Sequence, residues 1–284
     1  MSQFRDYLEL TKPRLTLLVL ATAFLGFFMA SSGPWLPTLL AHALLASALI
    51  GGGINALNQY LERAIDARMK RTANRPIPAG RINPGNALLF GVALTLAGLL
   101  YLFLSTNLLT GALGLLTVIT YVFFYTPLKQ KTRLNTLVGA IPGALPCLMG
   151  WTASQNTLSL KAWSLFLILF FWQLPHFSAI AWVYKEDYDK SGLKMLTLKD
   201  ADGRSTGKKI ILGSVFLFPV TLLPVWVNLA HQIYFLTAVP AGIFFIAAAF
   251  WIDRQKLTGA KKFVTLSIYY LLVLIIAMIA DKSL

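Results

Sequence analysis

Long apolar runs constrain the fold of this chain more than any other feature of its sequence. A helix needs about 20 apolar residues to cross the hydrocarbon core of a bilayer, and the 284 residues contain nine candidate runs. The runs lie near residues 15–32, 36–57, 86–104, 107–125, 135–152, 162–182, 210–229, 233–251 and 263–280. The sequence therefore predicts an all-α protein, a polytopic membrane helical bundle with nine transmembrane helices.

The composition supports a membrane protein and excludes several other classes. Hydrophobic residues make up 57% of the chain and charged residues only 13%, with a mean hydropathy of +0.66. Because the apolar residues form unbroken runs, disordered chains, collagens, coiled coils and nucleic-acid-binding proteins fit poorly. A single cysteine, Cys147, excludes an internal disulfide, and the three histidines lack the HExxH spacing of a common zinc site.

The positive charges lie almost entirely on one side of the predicted bundle. With nine spans, 23 of the 25 Lys and Arg residues share the side of the N-terminus, and only Lys161 and Lys282 lie opposite. The positive-inside rule then predicts a cytoplasmic N-terminus and a C-terminus on the opposite side. No loop is long enough for a soluble domain, so residues 1–284 are predicted to form a single integral-membrane domain.

Ten of the 11 acidic residues share the same side, and they cluster in two places. They are concentrated after the second span and after the sixth, and each cluster is followed by bases. Two such loops separated by four helices suggest two four-helix halves plus a ninth helix, although no residue-level repeat is detectable.

The second span ends with a stripe of amide and carboxylate side chains whose oxygen atoms can bind a metal. If the helix continues through Asp66, then Asn58, Glu62 and Asp66 lie within about 80° of one another over about 12 Å of helix axis. Such hard ligands suit magnesium shared with a phosphate, and the arginine-rich run that follows matches phosphate oxygens. That run contains Arg63, Arg68, Lys70, Arg71, Arg75 and Arg81. The alternative is a solvated helix end with ordinary i,i+4 pairs.

A second charged segment follows the sixth span. Glu186 and Asp187 precede Lys190 and Lys194, so acids again come before bases at the same membrane face. The pattern favours a second metal–phosphate half-site, although mixed charges after a cytoplasmic helix end are common by themselves.

Three polar or aromatic side chains inside the spans are further candidates. His176 follows a proline in the sixth span, where either an interhelical hydrogen bond or a ligand role, such as holding haem iron, would explain it. Tyr121 and Tyr125 precede Lys129 near the phosphate zone. Their ring faces could stabilise a carbocation, and an interfacial aromatic belt is the alternative explanation.

The fifth run contains helix-breaking residues. Glycine and proline there predict a bent helix whose backbone a bulky planar or lipidic group can approach, with small-residue helix packing as the alternative. These residues are Gly139, Pro142, Gly143 and Pro146.

Several segments together resemble the UbiA-type intramembrane prenyltransferases, and within them the branch that farnesylates haem. The resemblance covers nearly the whole chain, and its most specific part is the run MKRTANRPIPAGR at 69–81. The other segments are TKPR at 11–14, NQYLERAID at 58–66, YTPLK at 125–129, residues 139–146, PHFSAIAW at 175–182 and EDYDKSGLKML at 186–196.

The match to the two acidic motifs of this family is unequal. The first motif reads NxxxDxxxD, and Asn58, Glu62 and Asp66 occupy it with Glu in the middle place. The second motif is usually DxxxD, but Tyr184 and Tyr188 occupy those places here, which leaves the neighbouring acids of the segment as the available carboxylates.

The resemblance implies an enzyme whose helices surround a central cavity. Its reaction would transfer a farnesyl group from farnesyl diphosphate to a vinyl group of haem B, after Mg²⁺-dependent ionisation to an allylic carbocation. Haem B would be a substrate rather than a cofactor. The implied setting is a bacterial cytoplasmic (inner) membrane, with the lipid bilayer and downstream haem-processing or oxidase-assembly proteins as partners, and no nucleic acid.

The resemblance also assigns expected roles to residues. Metal and catalytic roles fall to Asn58, Glu62, Asp66, Glu186 and Asp187. Diphosphate binding falls to Arg71, Arg75, Lys129, Lys190 and Lys194, substrate or carbocation contact to Tyr121 and Tyr125, and haem binding to His176.

Two rival functions remain open at this point. One is prenylation of another aromatic or chlorin acceptor, which depends on a pocket shape that sequence reveals poorly. The other is an ion-coupled transporter, whose helices are also broken by Pro and Gly. The clustering of acids at one membrane face, rather than near the midplane, argues against the transporter.

Overall fold

Helices account for the regular secondary structure of this protein. The computed structural model describes residues 3–33, 36–132, 134–193, 200–254 and 257–282, and no strand occurs within these ranges. In chain order the elements are α1 (Gln3–Leu10), α2 (Pro13–Ala30), α3 (Pro37–Asp66), α4 (Pro84–Ser105), α5 (Leu108–Val118), a π-helical segment (Ile119–Tyr125), α6 (Thr126–Lys131), α7 (Asn135–Gln155), α8 (Leu160–Val183), α9 (Lys185–Ser191), α10 (Arg204–Thr221), α11 (Leu223–Trp226), α12 (Gln232–Arg254) and α13 (Ala260–Lys282).

Nine helical stretches within the described ranges are long and apolar enough to cross a membrane. They are Pro13–Ala30, Pro37–Asp66, Pro84–Ser105, Leu108–Lys131, Asn135–Gln155, Leu160–Val183, Arg204–Trp226, Gln232–Asp253 and Ala260–Lys282. The predicted all-α membrane bundle and the order of its spans are therefore confirmed.

The seventh span begins earlier than its apolar run suggests. α10 starts at Arg204, whereas the apolar residues begin near 210. The carboxylate of Asp200 accepts hydrogen bonds from the backbone N–H groups of Ser205 at 3.2 Å and Thr206 at 2.6 Å. These bonds satisfy backbone N–H donors that the first helical turn leaves unpaired. The first turn of α10 is therefore helical, although its residues are polar and do not belong to the apolar run.

The chain divides into two compact units. The first comprises Met1–Thr157 and Glu186–Lys194, and it contains five of the spans. The second comprises Leu158–Lys185 and Met195–Leu284, and it contains the other four. The fifth span, Asn135–Gln155, therefore lies with the first four in the first unit, and the ninth span, Ala260–Lys282, lies in the second. The short α9 also packs with the first unit for most of its length, although it follows the sixth span in the chain.

Glycines let two helices of the first unit approach backbone to backbone. A Cβ atom at Gly26 of α2 would overlap the carbonyl oxygen of Cys147 in α7, and one at Gly150 of α7 would overlap that of Ala23 in α2. The contact is reciprocal, so each glycine accommodates a carbonyl of the opposite helix. This packing fixes α2, whose N-terminus carries a side chain of the candidate site.

One polar contact and one close helix packing connect helices of the second unit. The carboxylate of Asp281, near the end of α13, accepts hydrogen bonds from the backbone N–H groups of His231 and Ile233 at the start of α12. At Gly213 of α10 a Cβ atom would lie 2.9 Å from Cδ of Pro175, so the missing side chain lets α10 pack against the proline of α8.

The close packing of α2 and α7 generates a stability prediction. We expect Gly150→Ala to destabilise the protein by about 1–3 kcal/mol, because the added methyl group must displace a backbone carbonyl. Thermal unfolding of the purified protein in detergent measures the effect.

Gly51 of α3 provides the matched control. A Cβ atom there would lie 3.6 Å from Cγ2 of Thr16, an ordinary contact, so we expect Gly51→Ala to be neutral or to raise stability by up to about 1 kcal/mol through helix propensity. Equal melting temperatures for the two variants would contradict the packing described for α2 and α7.

Candidate metal and diphosphate site

The polar stripe at the end of α3 is buried. The helix continues through Asp66, and the exposed fractions of Asn58, Glu62 and Asp66 are 2%, 6% and 0%. Leu61 and Arg63, between them in the sequence, are exposed. This periodicity puts all three stripe residues on one buried face, which the solvated-helix alternative does not explain.

A different basic side chain meets each member of the stripe. Nζ of Lys12 donates a hydrogen bond to Oδ1 of Asn58 at 2.9 Å. Nζ of Lys129 lies 2.8 Å from Oε1 of Glu62, and Nη1 of Arg75 donates to Oδ2 of Asp66 at 2.6 Å. We call these six side chains the charge cluster. It contains three basic side chains and two carboxylates, a composition that favours binding of a further anion.

Lys12 reaches the charge cluster from the turn between α1 and α2. Its backbone adopts a left-handed conformation with φ of 47°. Two amides of α3 hold this turn in place: Gln59 donates to the carbonyl oxygen of Leu10 at 2.9 Å, and Asn55 donates to that of Thr11 at 3.2 Å. Burial, and then the nearby positive charge of Arg75, lower the pKa of Lys12 to about 7. The sequence analysis missed this residue, and its only signal was the weak TKPR match.

Lys129 reaches the charge cluster because the fourth span changes its helical type. Residues Ile119–Tyr125 form a π-helix immediately before Pro127. The Thr126 N–H bonds to the carbonyl oxygen of Tyr121, five residues earlier, and the Thr126 hydroxyl accepts a hydrogen bond from Nδ2 of Asn58 at 3.4 Å. The wider helix thus joins the fourth span to the stripe, and π-helical turns often occur at functional sites.

Arg75 reaches Asp66 through the loop that follows α3. The Thr72 hydroxyl donates to the carbonyl oxygen of Asp66 at 2.8 Å and turns the chain back toward the helix end. Arg81, at the end of the same loop, forms ion pairs with Asp6 and Glu9 of α1. The two arginines therefore differ in role, since Arg75 belongs to the charge cluster and Arg81 connects the loop to α1.

Two tyrosines adjoin Lys129. The rings of Tyr121 and Tyr125 pack edge to face with centroids 5.1 Å apart, and Nζ of Lys129 lies 4.5 Å from the Tyr125 centroid. A Cβ atom at Gly139 of α7 would overlap the Tyr125 ring, so this glycine makes room for it. The predicted aromatic residues thus lie beside the candidate diphosphate site.

The second charged segment contributes a tyrosine to the interior of the first unit. Tyr188 of α9 is 7% exposed, and its phenol interacts electrostatically with Arg71, Lys129 and Glu62. Burial raises the pKa of Tyr188, and the positive charge of Arg71 partly opposes that rise. This residue occupies a DxxxD place, and the sequence analysis gave it no role.

The predicted acids of this segment lie nearer to solvent. Glu186 is exposed and Asp187 is half-buried. Lys190 is exposed, and Lys194 lies outside the described residues. Within the described ranges, no three His, Cys, Asp or Glu side chains gather closely enough to hold a metal by themselves.

The stripe nevertheless suits a magnesium ion that is coordinated partly by protein side chains and partly by a phosphate. Oδ1 of Asp66 is buried and has no hydrogen-bond partner among the described residues. An unpaired buried carboxylate oxygen is costly unless a cation or donor meets it. Because Mg²⁺ commonly uses one or two protein carboxylates together with phosphates and water, Asp66 and Glu62 with the Asn58 amide are a suitable donor set.

His176 lies in the second unit and is 7% exposed. Its Nδ1 is 2.6 Å from the hydroxyl oxygen of Ser267 in α13, which supplies the interhelical hydrogen bond expected from the sequence. The ring also stacks on Trp172, with centroids 4.6 Å apart.

The chain is similar to proteins of one known family. The UbiA prenyltransferase family profile matches residues 19–276. A protoheme IX farnesyltransferase of Solibacter usitatus is 41% identical over 288 residues, which cover 98% of this chain and 99% of the relative.

Two solved structures share the fold. A digeranylgeranylglyceryl phosphate synthase has a TM-score of 0.83 at 17% identity, with 99% of each chain covered. A UbiA homologue from Archaeoglobus fulgidus, solved with DMAPP and Mg²⁺ bound, has a TM-score of 0.68 at 19% identity, covering 97% of this chain and 99% of the homologue. The family match spans most of the sequence, and the chain belongs to the UbiA prenyltransferase family.

Proposed function

We propose that this protein transfers the farnesyl group of farnesyl diphosphate to a vinyl group of haem B and so produces haem O. The observation that carries the proposal is the charge cluster, in which each member of the Asn58, Glu62 and Asp66 motif contacts its own basic side chain. The name of the Solibacter usitatus relative supports the choice of donor and acceptor.

The charge cluster would bind the diphosphate of the donor. Lys12, Lys129 and Arg75 supply positive charge from three separate chain segments, so together they can surround a polyanion. Arg71, Lys190 and Lys194 would add charge around it.

Asn58, Glu62 and Asp66 would hold Mg²⁺, with Glu186 and Asp187 as further candidate ligands. The A. fulgidus homologue, whose bound ligands are DMAPP and Mg²⁺, supports the use of this metal. Magnesium, when bound, would supply positive charge that stabilises the departing diphosphate.

Ionisation of the donor breaks its C1–O bond. The electron pair leaves with the diphosphate, where the basic residues of the charge cluster stabilise the developing negative charge. The farnesyl C1 becomes an allylic carbocation, and the ring faces of Tyr121 and Tyr125 can stabilise it without reacting.

Carbon–carbon bond formation then uses the acceptor's electrons. The π electrons of the haem vinyl group attack the allylic carbon, which leaves a cation next to the porphyrin ring. Water adds to this cation and loses a proton, and the hydroxyethylfarnesyl group results. His176 is the proposed haem contact.

The proposed setting is a bacterial inner membrane with the N-terminus in the cytoplasm and the C-terminus on the opposite side. The Lys and Arg asymmetry of the loops supports this orientation. Farnesyl chain and porphyrin would both enter from the bilayer, and downstream haem-processing or oxidase-assembly proteins would receive the product.

Product analysis tests the proposed function directly. We expect the purified protein, incubated with haem B, farnesyl diphosphate and Mg²⁺, to form a haem adduct whose mass equals haem plus a farnesyl group plus a hydroxyl group. Mass spectrometry detects the product. Farnesylation of a quinone precursor or chlorin without any haem adduct would instead indicate the other acceptor class, and no adduct with any acceptor would contradict an enzyme.

Substitution of Asp66 tests the proposed magnesium ligand. We expect Asp66→Asn to reduce turnover by at least about 100-fold, because the variant loses a negative charge that helps hold the metal against the leaving group. Initial rates of haem adduct formation measure the loss, and the melting temperature checks folding. Asp202→Asn is the matched control, because Asp202 is an exposed acid outside the charge cluster that contacts the side chain and the backbone N–H of Arg204. A fully active Asp66→Asn variant would remove Asp66 from the metal site.

Substitution of Lys12 tests a residue that the sequence motif alone did not identify. We expect Lys12→Gln to raise the KM for farnesyl diphosphate by about tenfold or more, because a hydrogen bond to a charged group contributes about 1.5–3 kcal/mol. Steady-state kinetics at saturating haem measure the change. Arg14→Gln changes an exposed base of the same TKPR segment, and it should leave KM unaltered. Equal effects of the two substitutions would exclude a specific diphosphate contact by Lys12.

A further inference from the structure

We infer that Nε2 of His176 coordinates the iron of the haem substrate, and that Ser267 and Trp172 are positioning residues that hold the imidazole for this purpose. The inference rests on the proposed function, because it assumes that haem is the acceptor. It adds the coordinating atom and the residues that fix its tautomer and orientation.

The hydrogen bonds of Ser267 determine the tautomer of His176. The Ser267 hydroxyl donates its single proton to the carbonyl oxygen of Val264 at 2.7 Å. With that proton engaged, we infer that its oxygen accepts from Nδ1 of His176, 2.6 Å away. A neutral imidazole with its proton on Nδ1 has its lone pair on Nε2, which is the form that binds a metal.

Trp172 fixes the orientation of the same ring. It lies one helical turn before His176 on α8, and the two rings stack with centroids 4.6 Å apart and an interplanar angle of 21°. Nε1 of Trp172 donates to the backbone carbonyl oxygen of Ser267 at 2.7 Å. One residue of α13 therefore bonds both side chains, and the imidazole cannot rotate without breaking its bond or its stacking.

Nε2 of His176 has no hydrogen-bond partner among the described residues, and it is not one of their fully buried unpaired atoms, so its lone pair is open to a ligand. Coordination to iron would satisfy it. Histidine ligands of metals characteristically donate their second ring nitrogen to an acceptor that fixes the ring, as His176 does to Ser267.

Haem binding without the prenyl donor tests the inference. We expect the full-length protein, purified in detergent and titrated with haem B alone, to give the resonance Raman iron–imidazole stretch of a histidine complex in the ferrous state. His176→Ala should lose this band, and added imidazole should restore it. Because the chain has three histidines, His42→Ala and His231→Ala are matched controls that should keep it.

Ser267→Ala tests the positioning role. We expect the iron–imidazole frequency to shift, because Nδ1 loses its acceptor, and haem affinity to fall about tenfold, as is typical when such a partner of a ligand is removed. A change in stability alone would not move the frequency. An unchanged frequency in Ser267→Ala would overturn the role assigned to Ser267.

Persistence of the iron–imidazole band in His176→Ala would overturn the inference. If that variant does not fold, the same band is measured in His176→Gln, which retains a polar side chain of similar size. Different outcomes would refute the inference and the proposed function. A wild-type protein with the histidine band but no farnesyl adduct would refute the proposed function, whereas an adduct formed without the band would refute only the assignment of His176.

Discussion

Charge neutralisation at the buried end of α3 is the interaction on which the candidate site depends. Glu62 and Asp66 are buried at the end of a membrane-spanning helix, where an unpaired carboxylate would carry a large desolvation cost. Lys129 and Arg75 offset that cost at 2.8 Å and 2.6 Å. Lys12, the third base of the charge cluster, donates a hydrogen bond to Asn58. These contacts depend on the positions of three segments, which are the turn before α2, the loop after α3 and the π-helical segment.

The same contacts prepare the site for an anionic substrate. Without a diphosphate, the three bases contact Oδ1 of Asn58, Oε1 of Glu62 and Oδ2 of Asp66, which are oxygen atoms of the proposed metal ligands. A diphosphate would offer the bases stronger partners, since it carries several charges, and it would release the carboxylate oxygens toward Mg²⁺. Donor and metal binding should therefore be thermodynamically coupled. A coupling of this kind is reciprocal, so each ligand raises the affinity for the other by the same factor.

The sequence predicted those parts of the protein that depend on local periodicity. The nine spans follow from apolar runs, and the stripe follows from residues four apart on one helix. Lys12 could not be identified in this way, because a left-handed turn and two amides of α3 bring it to Asn58. The π-helix was also missed, since its i→i−5 bonding has no apolar signature. Tyr188 required knowledge that α9 packs with the first unit. Each of these features depends on contacts between distant segments.

Calorimetric titration of Mg²⁺ in the absence of diphosphate tests the central role of the charge cluster most directly. We expect Lys129→Gln to bind Mg²⁺ more tightly than the wild-type protein, because Glu62 no longer has a competing cation, and to bind a non-reactive farnesyl diphosphate analogue more weakly. Lys131→Gln, which changes an exposed lysine on the same helix, should alter neither affinity. Unchanged or weaker Mg²⁺ binding by Lys129→Gln would contradict the proposed exchange of partners.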